Sequence, residues 1–576
     1  MQYKLTFSRS AERLIEVSLT FSAAPGQVRL RLPYWRPGRY ERQYYERHIT
    51  DVRATGPDQT PQPIRQTTTH TWEAEVPASG QLTVLYAYYA DTPDAGGSWF
   101  DDTWIFVNPV NLLLYPEGCE NTPCTLTPEL PASYQLAASL PLTGGAWVAD
   151  SYHTLADSPF MAARHLVHHQ FQVSGLAVHI WYMGVGTLDV MRLERDITAY
   201  SEAQIQMFGG CPVEAYHYLY FLRPGSFRHG LEHARSTAIV MGPGTQLMEP
   251  HLYRLLLEIS SHEFFHTWNV KALRPAEMWP YDYTQEVYST LHYVTEGVTT
   301  YYGDLMLWKS GIWDLDQWLE SVNGELEMHY RMGGRHTTSL AQSSFQSWIN
   351  GYHRQGVPNR RISFYTKGYL FAMLADMLIR RATHHAASLD TVMGSMYQEI
   401  ALAGRGYTEA DFLGRIEAYV GADTLRPYLE AYLYGSAPME PALEEIGQFY
   451  GLFLTFKTPA SLTESCWGVT MDAGGRVIEN IQPGSPVLAA GLSAGDELIS
   501  LDGLKIEGHP DELLRFRREA HYHEVYYFHQ RQIRVAYIPK QTHFSWKIPY
   551  YYALAGDDEA MYLANRFQWQ RIGEPG

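Results

Sequence analysis

Cysteine is scarce, with 4 in 576 residues. Cys119, Cys124, Cys211 and Cys466 are scattered, and only the first two are close in sequence. A disulfide scaffold needs far higher density, and this spacing suits no four-cysteine zinc site. Reduced core or loop thiols are expected. Charge is also sparse at 18%, and positive charge sparser: 44 Lys plus Arg face 62 Asp plus Glu, for a net −18. Such a surface repels phosphate backbones and anionic lipid, which argues against nucleic acid as a partner. No apolar run reaches the roughly 18 residues of a membrane-spanning helix. The opening MQYKLTFSRSAERLIEV alternates like a strand where a secretory signal would carry an apolar core. No membrane span and a cytoplasmic location are therefore expected. Internal repeats and low-complexity tracts are absent too.

Apolar material is plentiful. Hydrophobic residues make up 45% and aromatic residues 14%, including 42 Tyr and 15 Trp, so this chain has large cores to bury. At about 150 residues per domain, the length calls for three or four domains. Residues 1–175 carry short alternating runs such as Tyr3-Leu5-Phe7, Val28-Leu30-Leu32 and Leu82-Val84-Tyr86, broken by Pro, Gly and Asp clusters, which predicts a β-sheet domain. A helix-rich domain follows over 176–455, the apolar period turning helical from Asp189, with long helices predicted over 249–269, 284–309, 313–331, 365–381 and 408–434. A small β module follows over 456–540, punctuated by PGSP, AGL, AGD and LDG turns, and residues 541–576 form an aromatic tail expected to pack on the body. The fold class is multidomain α+β.

The sharpest chemical feature is His262-Glu263-Phe264-Phe265-His266. In a helix, residues four apart lie one turn above each other, so the two imidazoles face one ion while Glu263 flanks them as a base. By composition alone roughly 0.05 such patterns would occur in a chain of this length. Pro250 suits a first helical turn, and Leu252, Leu255, Leu256, Ile259 and Phe265 recur at helical spacing. A catalytic zinc takes three protein ligands and keeps one position open, so a third ligand is needed. Two glutamates compete. Glu286 would lie near the start of the next predicted helix, where a solvated first-turn carboxylate is the simpler reading. Glu296 would lie in its middle, with Gly297 beside it allowing close approach of two helices.

The string HEFFHTWNVKALRP, followed by TEGVTTYYGDL, resembles the glycyl aminopeptidase family of zinc peptidases, a thermolysin-like branch related to aminopeptidase N. Relatives of aminopeptidase N carry a glutamate ligand in an N-E-G-F-A-x-Y string, which TEGVTTYY matches at Glu296 after a longer gap. Gly230-Leu231-Glu232-His233 resembles their G-x-M-E-N string, which implies that Gly230 and Glu232 bind substrate, with Glu232 on the free α-amine. Phe364-Tyr365-Thr366-Lys367-Gly368 resembles Y-E-K-G, with Thr366 for Glu, which implies that the Tyr365 hydroxyl holds the oxyanion. The Pro33-Tyr34-Trp35-Arg36-Pro37-Gly38 turn resembles the family's N-terminal sheet domain and is expected to have no covalent or ligand role. The C-terminal module, from Arg476-Val477-Ile478 through Gly495-Asp496-Glu497-Leu498, resembles a PDZ domain, which implies a peptide ligand with a free C-terminus near Trp467-Gly468-Val469.

The resemblance thus implies a thermolysin-like catalytic domain between a β domain and a PDZ domain. It implies one Zn²⁺ per chain on His262, His266 and Glu296, with Glu263 as base. The substrates would be peptides with small N-terminal residues such as Gly or Ala. Two rivals remain: an endopeptidase whose substrates the PDZ module recruits, and a noncatalytic peptide-binding protein.

Overall fold

Alternation places Tyr3, Leu5 and Phe7 on the buried face of the strand Gln2–Arg9 while Lys4 faces solvent. That strand pairs antiparallel with Leu14–Ala23, Leu5 opposite Val17, and Leu14–Ala23 pairs with Gly80–Tyr89, Leu19 opposite Val84. Apolar residues oppose apolar residues, so the register and the buried face agree. The computed structural model, which describes residues 1–352, 356–357, 359–515, 521–540 and 546–553, builds an eight-stranded sheet around these strands and adds two four-stranded sheets. The helix Tyr152–Ala156 follows, capped by Ser151 and ended by Asp157. All four cysteines are free thiols.

A second sheet then begins, from β1 (Val167–Val173) and β2 (Leu176–Gly184) to helix α1 (Val190–Phe208), β3 (Ala215–Leu222), β4 (Phe227–Glu232) and β5 (Ser236–Gly242). Its order is β1-β2-β3-β5-β4. Strands β2, β3 and β5 run parallel, and β4 runs antiparallel along the edge. Helices α2 (Pro250–Phe265), α3 (Thr299–Lys309), α4 (Leu315–Arg331) and α5 (Phe364–Ala382) complete the body, and one continuous hydrophobic core joins them to the first domain.

The region read as helical from Asp189 also holds the strands β3, β4 and β5, and two helix predictions need correction. The segment expected to be helical from 284 becomes so only at His292. Asp282 captures Thr284 N at 2.8 Å and Gln285 Nε2 at 2.8 Å, a local turn that competes with helix formation. The run over 408–434 breaks at Gly421, whose φ of +87° a helix does not allow, into Glu409–Val420 and Ala422–Tyr428.

The C-terminal module has its own core, with Trp467, Val469, Ile478, Leu498, Val525 and Ile538. It leans on the body where Asn480 Nδ2 and Gln482 Nε2 donate to the Arg331 carbonyl at 3.4 and 3.3 Å. From the expected tail, Ile548–Ala553 pairs with Leu452–Lys457 and Tyr551 N donates to Asn323 Oδ1 at 2.7 Å. Residues 541–545 and 554–576 lie outside the described residues.

Candidate active site

Helix α2 is set on the sheet by a column of tyrosines. Alternation sends Tyr216, Tyr218 and Tyr220 of β3 to one face. The Tyr216 hydroxyl donates to the Glu263 carbonyl at 3.2 Å, and the Tyr220 hydroxyl lies 2.9 Å from Ser260 Oγ. Each buried bond contributes only about 1 kcal/mol net, yet leaving a partner unmade costs more, so the column fixes the helix's rotation.

The helix ends at Phe265, and the turn Thr267–Ala272 breaks at Asn269 (φ −103°, ψ 86°). The break aims the Asn269 carbonyl at His266 Nδ1, 2.7 Å away. A carbonyl only accepts, so Nδ1 carries the proton and Nε2 keeps its lone pair. Asn269 is itself held by its Nδ2, which donates to Val294 O at 2.8 Å and Thr299 Oγ1 at 3.0 Å. His262 Nε2 lies 3.1 Å from His266 Nε2. Burial pushes both imidazoles down, His266 to about 3, so both are neutral.

Glu296 lies in a widened helical turn, Tyr293–Val298, that leads into α3. Its Oε2 is 3.5 Å from His266 Nε2, and one ligand atom from each of His262, His266 and Glu296 lies within 4.8 Å of the others. Glycines bring the helices this close. A Cβ on Gly297 would sit 2.5 Å from Gly368 Cα, so Gly297 admits α5. Gly303 admits α2, since its Cβ would sit 3.1 Å from His262 Cβ. Glu286 occupies the non-helical segment, accepts from the Tyr288 hydroxyl, and joins no metal-binding group among the described residues.

Two more carboxylates converge here. Glu232 ends the edge strand β4 and is buried, and Glu263 faces that strand across Gly230. A Cβ on Gly230 would lie 2.1 Å from Glu263 Oε1, and one on Gly38 (φ +79°) would lie 2.4 Å from Glu232 Oε2. Both glycines thus keep space for a carboxylate. Glu232 Oε1 and Glu263 Oε2 are buried with no hydrogen-bond partner among the described residues. Burial, then the charges of Glu232 and Glu296, raises Glu263 well above the carboxylate range; burial, then Glu232, does the same to Glu296. Buried acids without donors fit cations. The neutral imidazoles and Glu296 suit a divalent metal ion, and the space beside Glu232 suits an ammonium group.

Sequence reasoning missed the groups that brace these acids. The Lys271 ammonium, buried five residues after His266, pairs with Asp157 Oδ1 at 2.9 Å, and His233 Nδ1 meets the same oxygen at 3.0 Å. Burial works to raise the Asp157 carboxyl, and Lys271 and His233 outweigh it, holding the group well below the usual range. Asp157 belongs to the first domain, and no motif marks it. The turn at 33–38, expected to have no covalent or ligand role, packs beside the site. Tyr34 N and Trp35 Nε1 donate to the carbonyls of Tyr283 and Asp282 at 2.8 and 2.7 Å, and the following Tyr40 donates its hydroxyl to Glu296 Oε1 at 3.1 Å. Tyr365, in the first turn of α5, has its hydroxyl 3.4 Å from that of Tyr352, and burial with the nearby Glu296 charge raises its pKa well above the phenol value.

Residues 2–164 match the peptidase M61 N-terminal domain, and residues 255–371 match the M61 glycyl aminopeptidase domain. The second match contains His262, Glu263, His266, Glu296 and Tyr365; Gly230, Glu232 and the C-terminal module lie outside both. Among solved structures, the chain is similar to an aminopeptidase N family protein from Idiomarina loihiensis, at 25% identity and a TM-score of 0.89, over 98% of this chain and 99% of that one. An M1 zinc metallopeptidase from Deinococcus radiodurans is similar at 16% identity and a TM-score of 0.45, over 76% of this chain and 94% of that one. A mutant of that enzyme bound to a Tyr-Ser-Ala substrate gives 16% identity and a TM-score of 0.43 over the same shares. No curated protein matches the chain.

Proposed function

Starting from a peptidase that carries both M61 domains, we propose that this chain is a zinc-dependent aminopeptidase that removes small N-terminal residues, Gly or Ala, from peptides. The observation that carries the exopeptidase reading is the buried carboxylate of Glu232, at the end of an edge strand and next to Glu263; the Oε1 of Glu232 has no hydrogen-bond partner among the described residues. An anion there gains from a substrate ammonium, and an acetyl cap in its place leaves the charge desolvated without a partner.

His262, His266 and Glu296 would hold one zinc ion. Bound there, zinc supplies a polarised scissile carbonyl and a water acidic near neutral pH. Glu263 takes the proton of the attacking water and passes it to the leaving amine. The Tyr365 hydroxyl donates to the oxyanion as it forms. Glu232 pairs with the substrate's α-ammonium, and Gly230 leaves room for Glu263 beside the substrate strand. Lys271, paired to Asp157, works against the upward push of burial on Glu263 and Glu296.

The test is a panel of free and N-acetylated peptides, with metal analysis alongside. Free-amine peptides should be cleaved, acetylated ones poorly, and about one zinc found per chain. Equal cleavage of both sets would move the assignment to the endopeptidase rival. We read the C-terminal module as a PDZ domain whose strand Val469–Met471 accepts a peptide C-terminus; among the described residues its other edge pairs only with Ile478–Ile481. Titrating the full chain with a fluorescent peptide, with free or amidated C-terminus, checks this. Equal binding of both, or none, refutes it.

A further inference from the structure

Tyr40 belongs to none of the strings that carry the proposed chemistry, and it arrives from a different domain. Its hydroxyl donates to Glu296 Oε1 at 3.1 Å, with both residues buried. The ring is packed between neighbours. It lies 3.7 Å, centroid to centroid, from the ring of His292, and Trp35 packs on it at 6.3 Å. Its backbone N–H donates to the Tyr352 hydroxyl at 3.4 Å. His292 precedes Glu296 by four residues, one helical turn, so a single helix supplies both the carboxylate and the surface that holds the tyrosine over it. The turn before Tyr40 is anchored in its own right, by Tyr34 and Trp35 on the Asp282–Tyr283 carbonyls and by Gly38, whose missing Cβ lets the backbone lie against Glu232.

The two Glu296 oxygens therefore have different surroundings. Oε1 is occupied by the tyrosine, and Oε2 faces His266 Nε2 at 3.5 Å. We propose that Tyr40 is a positioning residue for the metal centre: by holding Oε1 it turns Oε2 toward the ion, so the carboxylate binds through one oxygen and the first domain completes the zinc site. The inference rests on the zinc reading above. Groups that hold a ligand in this way typically change metal affinity by about 10- to 100-fold when removed.

The experiment measures zinc affinity by competition with a chromogenic chelator, using metal-stripped full-length protein. Wild type, Tyr40→Phe and Tyr365→Phe are compared, and the phenylalanine at 40 keeps the ring against His292. Tyr40→Phe should bind zinc about 10- to 100-fold more weakly. It should lose activity at limiting zinc and regain most of it as free zinc rises. Its metal-free form should melt with metal-free wild type, while the rise in Tm on adding zinc shrinks. Tyr365→Phe should bind zinc like wild type, and its activity deficit should persist at high zinc. A Tyr40→Phe protein with wild-type zinc affinity overturns the proposal, whether or not its metal-free form melts earlier. Wild type without measurable zinc affinity would overturn the zinc reading itself, and the proposal with it.

Discussion

Replacing Gly297 with alanine tests whether close helix contact sets the site's geometry. The added Cβ would lie 2.5 Å from Gly368 Cα, 2.7 Å from its carbonyl carbon and 2.8 Å from the Phe364 carbonyl oxygen. All three are backbone atoms that no rotamer change can move. Ordinary contact begins near 3.4 Å, so the turn bearing Glu296 and the first turn of α5 must part by ~0.9 Å. Overpacking of that kind costs about 1–3 kcal/mol. The same displacement carries Glu296 away from Tyr365, and misplacement by about 1 Å can cost 10²-fold in rate. Urea melts and kcat/KM should thus fall together. Gly303→Ala meets His262 Cβ at 3.1 Å and needs a retreat of only a few tenths of an ångström, so its loss should be smaller. Gly324→Ala, in α4 with nothing within 4 Å of its Cβ, should gain up to ~1 kcal/mol from helix propensity. A Gly297→Ala enzyme with wild-type stability and kcat/KM would refute the reasoning.

Metal analysis of variants should separate ligand from base. Glu296→Ala loses zinc, Glu286→Ala keeps it, and the reverse would hand the third ligand to Glu286. Glu263→Gln should keep zinc and lose about 10²- to 10⁴-fold in kcat, as expected of a general base; Tyr365→Phe should lose about 10²- to 10³-fold with little change in KM, and unchanged kcat would return that residue to a packing role. Asp157 is held below its unfolded pKa, so its contribution to stability is complete above about pH 4 and fades as pH falls further. Asp157→Asn, which leaves Lys271 buried without its partner, should destabilise by about 3–5 kcal/mol at pH 7 and by clearly less near pH 3; equal deficits in denaturant melts at both pH values would contradict this.

The alternating strands of the first domain and the H-E-x-x-H helix were legible because each depends on local period. In Gln2–Arg9 and Leu14–Ala23 the residue pattern and the buried face are the same information, whereas β3 and β5 are buried on both faces and offer no such alternation. The start of the helix before Glu296 was not legible, because the Asp282 turn is a side-chain competition that hydropathy ignores. Glu286 and Glu296 follow His266 by 20 and 30 residues, and spacing alone does not choose between them; the fold brings Glu296 within reach of both imidazoles. Gly297 was recognised as a point of close approach, but its neighbour could not be read, since Gly368 is brought there by tertiary packing. Tyr40 and Asp157 left no sequence signal. Their contacts with Glu296 and Lys271 span 256 and 114 residues, and a single tyrosine among 42 carries no period.

The turn at 33–40 has a bearing on how the molecule is made. Translation delivers Tyr40 and Asp157 first, then the Glu232 strand, then His262 through Glu296, and Tyr365 last. The turn that packs against Glu232 and Glu296 is thus made before either carboxylate. A nascent chain that stops before Tyr365 already carries the turn at 33–40 and lacks the proposed oxyanion donor.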